Sequence, residues 1–300
     1  MTGVRGAAIA WEQPQIAARR LPALATGALF VWLFWAPLTN TLHAWWTSAD
    51  AGHGLLLAPL ALWLAWRSGL SRQARPERTL GLVVLGGSVV LRYLSGLAAE
   101  LFTMRLSVLG AALGLVIFAW GVRQVLHWWL PVVLLVLSIP LPEILLGTLA
   151  LPLQFQASRM GAALLEARHV PVALTGNVIH LPGGHQLFVT EACSGLRSLS
   201  ALLALGFLIG ALWLRSIWGR ALLVVLAVPV AMLLNAVRIF LTGFFVHYID
   251  PALGEGLMHY TEGWVMFVAA LVLLGGLAAA LVWAERSVGS SAGARAEAAA

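Results

Sequence analysis

Apolar runs separated by short polar or arginine-bearing stretches recur along the chain, most of them about twenty residues long. Each is roughly long enough to cross the ~30 Å hydrocarbon core of a bilayer as a helix. Eight are read: Leu21 to Leu42, Ala49 to Trp66, Leu80 to Ala98, Leu106 to Gly121, Val125 to Leu146, Leu196 to Leu214, Ala221 to Phe240 and Gly263 to Trp283. The second begins poorly, because Asp50 and His53 fall in its first turn and its clean apolar part starts at Gly54. The first is longer than a signal-peptide core and lacks a small-residue cleavage site, so it is expected to stay as an anchor. One long interruption, Gly147 to Gly195, has internal order. Pro152 to Arg168 reads as an amphipathic interfacial helix, apolar at Leu153, Met160, Leu164 and Leu165 and polar at Gln154, Gln156, Arg159 and Glu166. Two strand-like runs, Asn177 to Leu181 and Gln186 to Val189, flank Pro182-Gly183-Gly184, a hairpin signal.

The expected fold is an all-α polytopic membrane protein of about eight transmembrane helices with a small extracytoplasmic cap, an interfacial helix plus a β-hairpin, over 147–192. Residues 1–20 are expected as a cytoplasmic tail, 21–286 as the integral membrane domain and 287–300 as a disordered cytoplasmic tail. Composition agrees: 61% hydrophobic and 10% charged residues, with a mean hydropathy of +0.91, leave too little polar surface to cover a soluble globule. The net charge of +6 comes with 18 basic residues, all arginine. They lie between apolar runs and form no aromatic-laced basic face, which argues against a nucleic-acid partner.

Their distribution orients the chain, since short arginine-rich loops stay cytoplasmic. Twelve of the 18 fall on alternate flanks, around Arg5 to Arg20, Arg67 to Arg78, Arg123, Arg215 to Arg220 and Arg286 to Arg295. The opposite flanks hold Arg105, Arg159, Arg168, Arg197 and Arg238, with Arg92 inside the third run. Both termini are then cytoplasmic and the Gly147 to Gly195 segment is outside.

That topology collects three reactive side chains on the outer side: Cys193 entering the sixth helix, Arg238 leaving the seventh and His259 entering the eighth. Cys193 is the chain's one cysteine, in Thr190-Glu191-Ala192-Cys193-Ser194-Gly195, where a polar segment turns into an apolar helix. Unpaired N–H groups and the partial positive charge of a helix's first turn favour the thiolate, the nucleophilic form. Ser194 is suited to cap that helix and Gly195 leaves room for a substrate backbone. Arg238 is placed to lower the thiol pKa or hold an oxyanion, and His259 to act as general base.

The plainer readings are an inert core cysteine, an arginine that snorkels and a histidine that only solvates. Against the first stands the oxidising outer face, where a lone thiol is a liability unless used. The remaining histidines show no metal-ligand spacing, and no metal or other cofactor is assigned. Glu191, Arg197 and Asn235 are supporting or substrate-binding candidates. Arg197, one helical turn beyond Cys193, is suited to tune the thiol, clamp a substrate acid or pair with Glu191. Arg92 either pairs with Glu100 or grips a substrate carboxylate. A transporter or polysaccharide-assembly factor using Arg92, Arg238 and His259 as a polar pathway, and a non-catalytic scaffold that binds other transmembrane helices, remain as alternatives.

Glu191-Ala-Cys193-Ser-Gly-Leu-Arg197-Ser-Leu, Asn235-Ala-Val-Arg238-Ile and Glu255-Gly-Leu-Met-His259 together resemble the signature of the exosortase/archaeosortase family, multi-pass membrane cysteine transpeptidases. His53-Gly54 and Gly176-Asn177-Val-Ile-His180-Leu181-Pro182 also sit where that family carries similar segments, so the resemblance covers about Asp50 to Trp283. It implies catalytic roles for Cys193, Arg238 and His259, and exported proteins as substrates. Their C-terminal tail would carry a Pro-Glu-Pro motif, a transmembrane helix and a basic end. Cleavage would pass through a thioester on Cys193, with water, a lipid or a glycan carrier as acyl acceptor. The resemblance further implies a bacterial inner-membrane location beside membrane lipid, a site facing the periplasm and a link to exopolysaccharide production.

Overall fold

The computed structural model describes residues 13–48, 51–140, 142–189, 196–250 and 257–298, and most of that length is helix. Two compact units are formed, Met1–Ala44 with Ser71–Val125, and Trp45–Leu70 with Leu126–Ala300.

In the first unit the opening apolar run is bent. Helix α1 (Gln13–Leu33) meets α2 (Trp35–Thr47) at Phe34, and their apolar parts turn by 68°. Pro37 supplies a cause: it has no N–H to offer the Leu33 carbonyl and its ring crowds that carbonyl. After α3 (Gly54–Ser68), which belongs to the second unit, α4 (Arg78–Leu97) and α5 (Leu101–Trp120) form an antiparallel hairpin. Its seam is made of small residues. Gly81 faces Phe118, Gly110 faces Ser88, and a Cβ on Gly114 would stand 2.8 Å from the Leu85 backbone nitrogen. Close approach of this kind holds helices together where lipid is as apolar as leucine.

Glu100 starts α5 by accepting from the backbone N–H of Phe102 at 3.0 Å and of Thr103 at 2.6 Å, and from the Thr103 hydroxyl. Those donors would otherwise be orphaned at the helix end. The Thr103 hydroxyl first, then the backbone donors and the Arg105 charge, hold the Glu100 carboxyl below its ordinary 4.5. No Arg92–Glu100 pair forms among the described residues; the Arg92 Nε is buried without a hydrogen-bond partner.

The second unit departs from the expected helix lengths. The run from Val125 to Leu146 is divided among α6 (Val122–His127), α7 (Trp129–Ser138) and the start of α8 (Glu143–Glu166). Ile139, at φ −73° and ψ 125°, is extended because Pro140 follows it and disfavours the helical region. Carbonyls left unpaired at the end of α7 are taken up by two side chains: Trp45 Nε1 donates to Ser138 O at 2.7 Å, and a His53 ring nitrogen lies 3.0 Å from Leu137 O. Leu57 and Ala61 of α3, Leu134 of α7 and Ala204 share one buried cluster.

A three-stranded antiparallel sheet follows α8: β1 (Ala173–Thr175), β2 (Val178–His180) and β3 (Gln186–Phe188), in that order. Ile179 pairs with Leu174 on one side and Leu187 on the other. Gly176 and Gly183 take φ +64° and +83° in the turns, a region that suits glycine. The chain ends with α9 (Leu196–Trp213), α10 (Ile217–Tyr248) and α11 (Leu257–Ala298). Helix α10 outruns the expected Phe240 because nothing in Leu-Thr-Gly-Phe-Phe-Val-His-Tyr breaks it. Helix α11 continues to Ala298 through the stretch read as a disordered tail, whose last residues, Ala294-Arg-Ala-Glu-Ala298, favour helix.

Among the described residues four helices are long and apolar enough to cross a membrane: Arg78–Leu97, Leu101–Trp120, Ile217–Tyr248 and Val265–Ser287 within α11. The bent pair Leu21–Leu33 with Trp35–Thr47 makes a fifth if it counts as one span. Other expected runs are carried by shorter apolar helices, Gly54–Ser68, Trp129–Ser138 and Leu199–Trp213. The protein is a helical polytopic membrane protein.

Candidate active site

The sheet seats the chain that leads toward Cys193. Ile179, Leu181 and Val189 are buried with Ala157, Ala162 and Leu165 of α8 and with Ile239 and Val246 of α10. Each large aliphatic side chain so buried contributes about 1.5–3 kcal/mol, enough to fix the sheet against both helices. A polar clamp adds direction. The Asn177 side-chain amide donates to Val189 O at 3.1 Å and to Gln154 Oε1 at 3.4 Å, while Val189 N–H donates to Asn177 O at 3.0 Å. Val189 is thereby held on both its backbone groups, at the last described position before the segment containing Cys193.

Helix α8 buries Leu165 and exposes Gln156, Arg159 and Glu166 as its pattern suggested, but its interior is otherwise made of small side chains and Gln154. Buried along it are Gln154, Ala157, Ser158, Gly161, Ala162 and Leu165, a stripe at helical spacing, whereas Leu164 is exposed. Small side chains win the interior because α10 comes very close: Gly161 lies against Ile239, and a Cβ on Gly243 would stand 2.9 Å from Leu165 Cδ1. Gln154, assigned to the polar outer face by its type, is 6% exposed and bonds Asn177.

Two glycines set how α9 and α10 run past each other. A Cβ on Gly206 would lie 3.6 Å from Val224 Cα, and one on Gly210 would lie 3.5 Å from Arg220 Cα. Continued along an antiparallel pair, that register sets Leu196 level with Leu234. Arg238 then stands one turn, about 6 Å, beyond the start of α9. Helix α11 is antiparallel to α10 as well. Glu285 accepts from Arg215 N–H and Ser216 N–H at 3.1 Å each, at the end of α10 opposite the connection to α11. Leu223, Ala227, Val230 and Ala231 of α10 pack with Ala270, Leu274 and Ala278 of α11 and Leu202 of α9.

Of the expected site residues, Cys193, Glu191 and Ser194 lie outside the described residues. Arg197 belongs to the first turn of α9 and His259 to the first turn of α11. Asn235 is buried on α10, and the Arg238 carbonyl accepts from the Thr242 hydroxyl at 3.0 Å. Arg238 is not at a helix end, as its position two residues before Phe240 suggested; the helix continues to Tyr248. Gln154 and Asn177 join them as the residues that hold Val189 on this stretch of chain. Asn177 was visible as part of a polar segment before the cysteine, but nothing in the sequence announces Gln154. Among the described residues no group of three His, Cys, Asp or Glu side chains is close enough to hold a metal ion.

A bundle of apolar helices with a small three-stranded sheet packed on α8 and α10 defines a helical membrane protein. Residues 45–276 match the family model of the transmembrane exosortase (Exosortase_EpsH). The chain therefore belongs to the transmembrane exosortase family, a protease and transpeptidase family acting on exported proteins that carry sorting signals. No curated protein and no solved structure matches it.

Proposed function

We propose that the protein cleaves the C-terminal sorting tail of exported proteins by cysteine chemistry. The observation that carries this is the α9–α10 register, which brings Arg238 just past the start of α9, on the side from which the Cys193 segment enters. His259 fits the same end: it lies about 39 Å along α11 from Glu285, and Arg238 about 32 Å along α10 from Ile217. Membership of a transpeptidase family over a stretch that includes all three residues favours the enzyme over a transporter or scaffold.

In this reading His259 takes the proton of the Cys193 thiol, and the thiolate attacks the carbonyl carbon of the scissile peptide. The tetrahedral oxyanion forms beside the Arg238 guanidinium, which stabilises it. Collapse breaks the C–N bond, the imidazolium returns its proton to the leaving amine, and a thioester remains on Cys193. An acceptor nucleophile, whether water or the hydroxyl or amine of a lipid or glycan carrier, then attacks the thioester and frees the thiol. The substrate tail has a short Pro-Glu-Pro segment outside the membrane, a transmembrane helix and a basic end, and the site faces the periplasm of a bacterial inner membrane with both termini cytoplasmic. Glu191, Ser194, Arg197 and Asn235 support the site or contact the tail, and the products serve envelope or exopolysaccharide assembly.

The deciding experiment follows a tail-bearing exported protein in cells carrying wild type or Cys193→Ala. Loss of processing at equal expression supports the enzyme. Unchanged processing overturns the cysteine mechanism.

A further inference from the structure

We propose that the groove at the arginine-bearing end of α9, α10 and α11 holds the head group of an anionic phospholipid. The cavity measures about 1110 Å³ and is lined at its polar end by Arg215, Ser216, Arg220, Glu285 and Arg286. It adjoins a second recess of about 500 Å³ that shares Leu212, Trp213, Val282 and Arg286 and adds Ala279 and Trp283.

Three arginines and one glutamate line that end, and the glutamate carboxylate is already committed to backbone donors. Glu285 Oε2 accepts from Arg215 N–H and Oε1 from Ser216 N–H. Arg220 is held in place by its Nε donating to Leu214 O at 3.0 Å and by its guanidinium standing 5.8 Å from the Trp129 ring centre. Arg215 and Arg286 are exposed. The start of α10 adds the positive end of a helix dipole to the same spot. The groove thus favours an anion even after its own acid is counted.

The apolar half decides which anion. Leu212, Trp213 and Trp283 are exposed beside the arginines, and tryptophans at this level mark the membrane–water interface. A free phosphate would use only the arginines and leave the recess empty. A phospholipid has a phosphate for the guanidinium groups and acyl chains for the recess, and basic pockets between transmembrane helices are a recurring way to take such head groups. An acidic head group such as phosphatidylglycerol is favoured over a zwitterionic one, whose ammonium would meet the arginines.

The test uses the full chain in nanodiscs made from an equimolar mixture of phosphatidylglycerol and phosphatidylcholine. Native mass spectrometry counts the lipids that stay bound on release. Wild type is expected to retain phosphatidylglycerol at least fivefold over phosphatidylcholine, Arg215→Gln/Arg286→Gln to lose that enrichment, and Arg215→Lys/Arg286→Lys to keep most of it. Equal retention of the two lipids by wild type overturns the proposal without recourse to any variant, as does unchanged enrichment in the glutamine double variant. Displacement of the retained lipid by millimolar inorganic phosphate overturns the lipid assignment in favour of a free-anion site. None of these readouts depends on processing activity, so the lipid site and the cysteine mechanism stand or fall separately.

Discussion

Asn177 ties down the chain ahead of Cys193. Its amide bridges Gln154 on α8 and the carbonyl of Val189, four residues before Cys193. Asn177→Ala leaves two buried partners short of a bond, at a cost of about 1–3 kcal/mol. Processing is expected to fall several-fold while the protein still accumulates in the membrane, read by substrate cleavage at matched expression. Arg238 is predicted to behave differently. Arg238→Ala should lower the cleavage rate by about 10²–10³, the usual loss for an oxyanion donor, and Arg238→Lys should recover part of it by keeping the charge without the planar fork.

Glu100 carries a pH dependence. Its carboxyl is held below 4.5 in the folded protein, so its ionised form stabilises the fold above the unfolded value, and that contribution is lost as pH falls through the folded one. Thermal unfolding in detergent should find wild type above Glu100→Gln at pH 7 and the gap closing at acid pH. The chemical types at all these positions were plain in the sequence. The partners of Asn177 and Gln154 were not, because a polar residue on a helix face looks alike whether it meets water or a buried amide.

At the scale of helices, glycine contacts decide what packs. Gly161 and Gly243 make room for side chains of the facing helix, Ile239 against Gly161 and Leu165 against Gly243, and a bulky side chain at either forces α8 and α10 apart. Gly161→Leu or Gly243→Leu is expected to lower the melting temperature by several degrees, consistent with overpacking costs of about 1–3 kcal/mol or more. The sheet rides on this pair, so cleavage should fall with stability. Hydrophobic periodicity located these helices and put Leu165 inward and Gln156, Arg159 and Glu166 outward on α8, but it missed buried Gln154 and the small-residue stripe. It counted leucines, whereas close packing in an apolar solvent is governed by how little side chain stands between two backbones. Proline explains the split runs: Pro37 bends the first and Pro140 ends α7, where apolar content alone looked continuous.

For the whole molecule, the apolar runs, the arginine distribution and three short motifs carried the membrane class and the family from sequence alone, because each depends on residue type and spacing rather than on a distant neighbour. Only the tertiary structure decided which helices are long enough to span, which face of α8 is buried, and that the register of α9 against α10 brings Arg238 one turn past the start of the helix that follows Cys193. Those outcomes depend on contacts between segments far apart in the chain. A glycine or a buried glutamine acquires its meaning only from the surface that closes over it.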